Sequence, residues 1–442
     1  MHIVCMSRLL YLRGFEGILV HGGKPLIEGL RRSLDDDQAP RVYHPVMISV
    51  QEAERIVAQH SPSSPPVPCP LAKAQGRILR EEIHADRDQP PFHRVMMDGI
   101  AISPHARESG QTSFLIESTH AAGAPPLRLN DPTACIQVMT GATLPEGCDG
   151  VIPYEDLSIR GQQAELNPGL VLKPMQWVHV QGADRKKNER LLAPGMRLLS
   201  PQIAILASTG RTEVRVGAIP SIAIVSTGNE LVDIGQELEP YQIRPSNAYG
   251  FHAALNRAGF DRVDLSHARD DRSAIRQCVE QALSAHDVLI LSGGVSMGKL
   301  DFVPEVLEQL SVVPLFHKIR QRPGKPFWFG VAPGGKQVFA LPGNPLSSLI
   351  CFHRYVLPSL FQSMGEPMRR HEQVLLGEGI GATGTSTLFI PVTLKQGIEA
   401  IPISHHGSGD LSALAESTGF VELPEGPLHF EKGTAVGYHR WN

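Results

Sequence analysis

The chain has 442 residues, too many for one ordinary domain, and 42% of them are hydrophobic, enough for several cores. Its 41 basic and 45 acidic side chains leave a formal charge of −4, which lacks the basic excess of a nucleic-acid backbone binder. No apolar run reaches the roughly 18–20 residues that span a bilayer, and residues 9–20 are broken by Arg13, Glu16 and two glycines, which spoils them as a signal-peptide core.

Residues 1–45 end in a polar run, Asp35 to Pro40, and differ in character from the rest; they read as an appended segment without assigned function. Ser49 then suits the cap of a helix over about 48–60, with Glu52 three residues on at capping-box spacing. The proline-dense stretch from Ser61 to Pro70 stops that helix and reads as a linker. Between about 71 and 200, β-branched segments broken by Gly and Pro predict strands at 114–116, 135–139, 150–152 and 169–172, a compact β-rich region. From about 211 to 365, strands alternate with helices at 248–258, 272–285, 302–310 and 346–360. That alternation requires crossover connections and predicts a doubly wound, mainly parallel α/β sheet. From about 370 the chain returns to short strands, at 387–390, 400–403 and 419–423, a small β domain.

Three strand–loop–helix units in the α/β stretch carry the chemistry. Their loops begin at Thr227-Gly228-Asn229-Glu230, at Ser292-Gly293-Gly294-Val295-Ser296-Met297-Gly298, and at Pro342-Gly343-Asn344-Pro345. Loops at the carboxyl ends of parallel strands bind ligands because backbone amides and helix N-termini converge there, so a small anionic ligand is expected. The second loop is neither a Walker A loop nor a Rossmann fingerprint; its glycines suit an anion-binding nest or, equally, a tight turn. Glu230, Asp270 and Asp301 recur beside these loops, a set suited to a hydrated Mg²⁺, whereas Asp271 is a good helix N-cap. Lys318, Arg322 and Lys325 surround the proline-stiffened turn 321–326 and suit a tetrahedral oxyanion or phosphate. Asp98, before Gly99, reads by itself as a turn former; Thr140 and Asp184 are equally ambiguous in isolation. The six cysteines lie far apart with no Cys-x-x-Cys, which fits a reducing cytoplasm. The 19 histidines show no helical zinc spacing and read as surface or satisfied groups.

Taken in order, Met97-Asp98-Gly99, Met139-Thr140-Gly141-Ala142, Ser226 to Leu231, Ser292 to Gly298 with Asp301, Pro323-Gly324-Lys325-Pro326, Leu341 to Pro345 and Gly407 to Leu411 resemble the MoeA family of molybdopterin molybdenumtransferases, which includes gephyrin E-domain-like proteins. The resemblance runs from about 46 to 442. It implies a four-part subunit: a MogA-like molybdopterin-binding α/β domain (46–66 and 211–369), a connecting domain (67–83 and 188–210), a β-rich domain (84–187) and a C-terminal β-barrel-like domain (370–442). It also implies a cytoplasmic homodimer, with Asp98, Thr140 and Asp184 of one subunit facing Glu230, Asp270 and Asp301 of the other.

The family reaction takes adenylylated molybdopterin and molybdate and releases AMP. By motif position, Ser292, Gly293, Gly294, Ser296, Gly298, Pro342 and Gly343 would hold the cofactor precursor. Lys318, Arg322 and Lys325 would attract the anion, and Glu230, Asp270 and Asp301 would hold Mg²⁺. The product would pass to molybdoenzymes, with an adenylyltransferase as a further partner; neither a membrane nor nucleic acid is involved. Two departures from the family pattern stand out: Ile100 replaces the usual aromatic, preceded by Val95 and Met96 where small residues are usual, and Arg322 replaces the common Lys. A carrier or scaffold that keeps the fold without catalysis is the alternative, although it has no need of the full carboxylate set. An adenylyltransferase would resemble the α/β part alone.

Overall fold

Every position of the strand Ile222–Thr227 is buried, which happens when a sheet is covered on both faces. The computed structural model describes residues 47–295, 301–368 and 371–441, within a unit spanning Val46–Asn442. The expectation for residues 1–45 lies outside the described residues, as do Ser296 and Gly298. Ile222–Thr227 belongs to a six-stranded sheet ordered Val263–Ala268, Ile222–Thr227, Val288–Ser292, Lys336–Leu341, Trp328–Ala332, Val313–Phe316. The first four strands are parallel, and Trp328–Ala332 alone runs against its neighbours, because the chain turns back on itself around residues 321–326 after Val313–Phe316 and again before Lys336–Leu341.

Alternate side chains sort to the two faces. Ile222, Ile224, Val288, Ile290, Phe339 and Leu341 pack with the helices Val50–Gln59, Ser246–Arg257 and Pro345–Cys351. Ala223, Val225, Leu289, Leu291, Val338 and Ala340 pack with Arg272–Ala285 and Val303–Gln309. Asp271 caps the former of these two helices, accepting from the Ala274 N–H at 3.0 Å. Ser49 caps Val50–Gln59 through the Glu52 N–H, but Glu52 turns its carboxylate to Arg55, so only half of the capping box forms.

Three sequence expectations change. The proline tract is no linker: Pro66–Pro70 pairs antiparallel with Glu213–Gly217. Prolines at alternate positions leave the intervening Val67 and Cys69 amides for the ladder, which an edge strand tolerates. Residues 169–172 form no strand; Leu170 and Leu172 do pack inward and Val171 is exposed, but Gly169 is left-handed (φ 82°) and the segment finds no partner. The long helix at 346–360 is Pro345–Cys351, a π-helical turn Phe352–Val356, and Leu357–Ser363. Pro358 has no N–H for the Arg354 carbonyl, and the turn widens there.

The β-rich region is a sheet ordered Gly150–Pro153, Gly99–Ile102, Cys135–Val138, Ser113–His120, Gln163–Leu166, Leu157–Arg160. A separate small core gathers Cys69, Leu79, Ile83, Leu192, Leu206, Val214 and Val216. At the C-terminal end, Thr387–Lys395, Glu399–Pro402, Glu372–Leu376, Ala435–Arg440 and Gly419–Leu423 pair in that order, and the last pairs back with the first. The ring closes as a barrel, which removes its free edges. Gln321–Arg322 adds alongside Thr387–Lys395, so a segment of the α/β chain is stitched to the barrel.

Arg354, 3% exposed, binds these parts together. Its guanidinium donates to Glu54 at 2.9 and 3.1 Å and to Glu422 at 2.8 Å, joining the first helix, the π turn and the barrel. Burial opposes charge on both carboxyls. For Glu54, hydrogen bonds from His371 and Arg354 win and bring the pKa down to about 2. For Glu422, the His439 hydrogen bond and the Arg354 charge do the same, also to about 2. Burial lowers His353 to about 4.

All three groups predict acid sensitivity. The unfolded chain protonates its histidines near 6.5 and its glutamates near 4.5, before the folded one does. Thermal unfolding followed by circular dichroism is therefore expected to show a melting temperature falling as pH drops below about 6.5, more steeply from 4.5 towards 2. Arg354→Leu is expected to cost about 3–5 kcal/mol at neutral pH by urea denaturation, since it strands two buried carboxylates.

Candidate functional site

The parallel register puts Ser226, Ser292 and Leu341 at one level, so the three loops leave the sheet together. They line one cleft of about 890 Å³ whose walls include Thr227, Glu230, Asp270, Ser292, Gly293, Gly294, Asp301, Pro342 and Gly343. Eight sequence-singled residues thus meet on one surface: Glu230, Asp270, Asp301, Ser292, Gly293, Gly294, Pro342 and Gly343. Arg322 and Lys325 line an adjoining hollow of about 740 Å³, which shares Pro326, Pro342 and Asn344 with the cleft. Lys318 lines neither; its backbone carbonyl accepts from the Ile48 N–H at 3.1 Å.

Local geometry fixes the loops. Gly293 has φ 98°, and a Cβ there would lie 2.7 Å from the Thr227 carbonyl oxygen, so only glycine lets the second loop approach the first. Asn229 and Asp270 form a reciprocal latch, each accepting from the other's backbone N–H at 3.2 Å. One Asp270 oxygen is therefore already engaged. His267 Nε2 donates to the Gly228 carbonyl at 2.8 Å, and His317 Nε2 to that of Val295 at 3.2 Å. Burial pushes His317 below its usual range.

One residue of the cleft escapes the sequence reading. Asn247, in the first turn of Ser246–Arg257, donates to the Ser292 hydroxyl at 3.0 Å and the Gly343 carbonyl at 2.8 Å, bridging the second and third loops. Its Oδ1 and the Thr227 hydroxyl are buried without partners among the described residues, an unusual cost unless a ligand supplies them. The signal available was the Pro245-Ser246-Asn247 sequence at a helix start. The barrel also reaches the cleft: Asn344 donates to the Ser408 hydroxyl at 3.0 Å, and Gly409 and Leu411 form part of the wall.

Asp98, Thr140 and Asp184 line neither the cleft nor the hollow within one chain. Asp98 Oδ1 accepts from both the Thr140 hydroxyl and its N–H at 2.6 Å, which lowers the Asp98 pKa. Asp184 pairs with His179 at 2.9 Å, and Arg94 donates to the other nitrogen of that imidazole. The short strands Arg94–Val95 and Val178–His179 tie the two groups to one end of the β-rich region.

This cleft lies at the carboxyl ends of parallel strands in an α/β fold and is lined by acidic and glycine residues. Three family models match in succession: the MoeA N-terminal region (domain I and II) over residues 48–210, a probable molybdopterin binding domain over 223–362, and the MoeA C-terminal region (domain IV) over 373–441. A molybdopterin molybdenumtransferase of Synechocystis is 39% identical over 402 residues, covering 89% of this chain and 100% of that protein. Another, of Staphylococcus epidermidis, is 33% identical over 400 residues, covering 88% of this chain and 94% of its own. The crystal structure of a molybdopterin biosynthesis MoeA protein from Pyrococcus horikoshii superimposes with a TM-score of 0.76 at 27% identity, over 89% of this chain and 100% of that one. The chain belongs to the MoeA family.

Gly293→Ala is expected to abolish ligand binding at the cleft while leaving the barrel and β-rich regions folded. Isothermal titration with molybdopterin beside a circular dichroism melt checks this; unchanged affinity would refute the close approach of the first two loops.

Proposed function

We propose that the chain is a molybdopterin molybdenumtransferase of molybdenum cofactor biosynthesis, taking adenylylated molybdopterin and molybdate and releasing AMP. The observation that carries this reading is one cleft with a glycine-lined loop and three carboxylates, opening beside a hollow that bears Arg322 and Lys325. The glycine loop and Asn247 suit the phosphate and polar atoms of the nucleotide-bearing precursor, and the cations suit molybdate, a dianion. In the reaction water cleaves the phosphoanhydride bond and AMP departs, while the two dithiolene sulfurs of the precursor take the place of two molybdate oxygens, which leave as water.

Mg²⁺ fits this site as a hydrated ion. Glu230, Asp270 and Asp301 offer the hard oxygen donors it prefers. Yet Asp270 has one oxygen committed to Asn229, and among the described residues the three do not gather as a single close ligand set. They would therefore hold the ion through its waters and the substrate phosphates, where it neutralises pyrophosphate charge.

In this reading the enzyme is a cytoplasmic homodimer, and Asp98, Thr140 and Asp184 complete the partner's cleft. That they line neither the cleft nor the hollow of their own chain supports this. The described cysteines are all free, in keeping with a reducing compartment. Among the described residues no helix is long and apolar enough to cross a membrane.

Molybdate-dependent AMP release in the presence of Mg²⁺ is expected from the wild type and to be lost in both Asp98→Asn and Asp301→Asn. Tight binding without release in the wild type would leave a carrier instead. Mixing the two inactive variants after subunit exchange is expected to restore about a quarter of wild-type turnover, since half the dimers are mixed and each has one intact site. No recovery would place both carboxylates in the same subunit's site.

A further inference from the structure

Of the 19 histidines, His371 and His439 come together with a carboxylate far from the cleft. His439 lies on Ala435–Arg440, Glu422 on the neighbouring Gly419–Leu423, and His371 immediately before Glu372–Leu376 on the other side. Glu372 sits opposite Tyr438, which brings His371 level with His439 across the pair. The imidazole centroids are 4.5 Å apart, and one donor atom from each of His371, Glu422 and His439 lies within 4.8 Å of the other two. His439 Nε2 and Glu422 Oε2 are 3.0 Å apart, near the edge length of about 3.4 Å in a tetrahedron with bonds of about 2.1 Å. These groups share no residue with the cleft of the three loops.

We propose that His371, Glu422 and His439 form a binding site for a divalent transition metal of the Zn²⁺ type, with its fourth position open to a cavity. Two imidazoles and one carboxylate are a donor set that zinc accepts with an open position left over. Two adjacent strands of a closed barrel hold Glu422 and His439, and His371 sits directly ahead of a third, which fixes the donors more rigidly than loops would. The surrounding groups do what a metal site's outer shell does. Arg354 fixes the Glu422 carboxylate at 2.8 Å, and Glu54 Oε1 lies 3.5 Å from His371 Nε2, where it orients that ring. Charge balance agrees: Arg354 offsets one of Glu54 and Glu422, and one negative charge remains for a cation. His371 and His439 line a cavity of about 230 Å³ with Glu54, Phe361 and Met368, which gives the ion an entry path and room for a water.

The test uses the full chain without an affinity tag, stripped by a chelator and kept in excess Mg²⁺ to mask the carboxylates of the cleft. Titration with Co²⁺ is expected to give one ion per chain with the visible absorption of a tetrahedral site, displaced by Zn²⁺. His371→Ala, a partly exposed position that leaves both Arg354 ion pairs in place, is expected to weaken binding at least about tenfold. Its AMP release is expected to stay that of the wild type. Glu422→Gln serves as a second variant and is expected to lose the Co²⁺ spectrum. Absence of stoichiometric binding, or a spectrum and affinity unchanged in His371→Ala, would overturn the proposal.

Discussion

Parallel registration of three buried strands is the constraint on which the rest depends. Ser226, Ser292 and Leu341 end their strands at one level, so three separate loops meet with their backbone amides and acidic residues facing one space. Had one strand slipped by a residue, its apolar set would have changed faces and its loop would have left the cleft. The two apolar faces of the sheet, each covered by helices, make such a slip costly. Function therefore rests on ordinary core packing some distance from the ligand.

What lies around this sheet works as support. Asn247 holds two of the loops at fixed separation, and the Asn229–Asp270 latch holds the first loop to the end of its neighbouring strand. Arg354 does the same on a larger scale, with one guanidinium shared between a helix carboxylate and a barrel carboxylate. Buried ion pairs contribute little net stability relative to apolar packing, but they penalise misassembly because a lost partner leaves a buried charge. Such an arrangement favours a single way of docking the barrel on the helices.

Much of this was legible in the sequence because it rests on local pattern. The runs Ile222 to Val225 and Val288 to Leu291 are apolar on both faces, which only a covered strand needs, and Asp271 stands where a helix start requires a cap. The acidic and glycine positions of the cleft follow from strand ends in the same way. Other features depend on distant partners. Pro66–Pro70 is a strand because Glu213–Gly217, far along the chain, offers an edge. Residues 169–172 have the alternation of a strand but no edge to meet. Asn247 looks like any polar residue in a first helical turn until two loops arrive beside it. His371 and His439 become neighbours only when Glu372–Leu376 pairs with Ala435–Arg440, far along the chain.

The strand Gln321–Arg322 belongs by sequence to the α/β stretch and by hydrogen bonding to the barrel. Arg322 and Lys325 therefore ride on a short tether anchored at both ends, one in each body. The tether fixes how far these cations reach from the barrel edge towards the three loops and works as a molecular ruler. An insertion in a distant surface loop leaves that measure intact, whereas one added residue between Arg322 and Pro326 would change it.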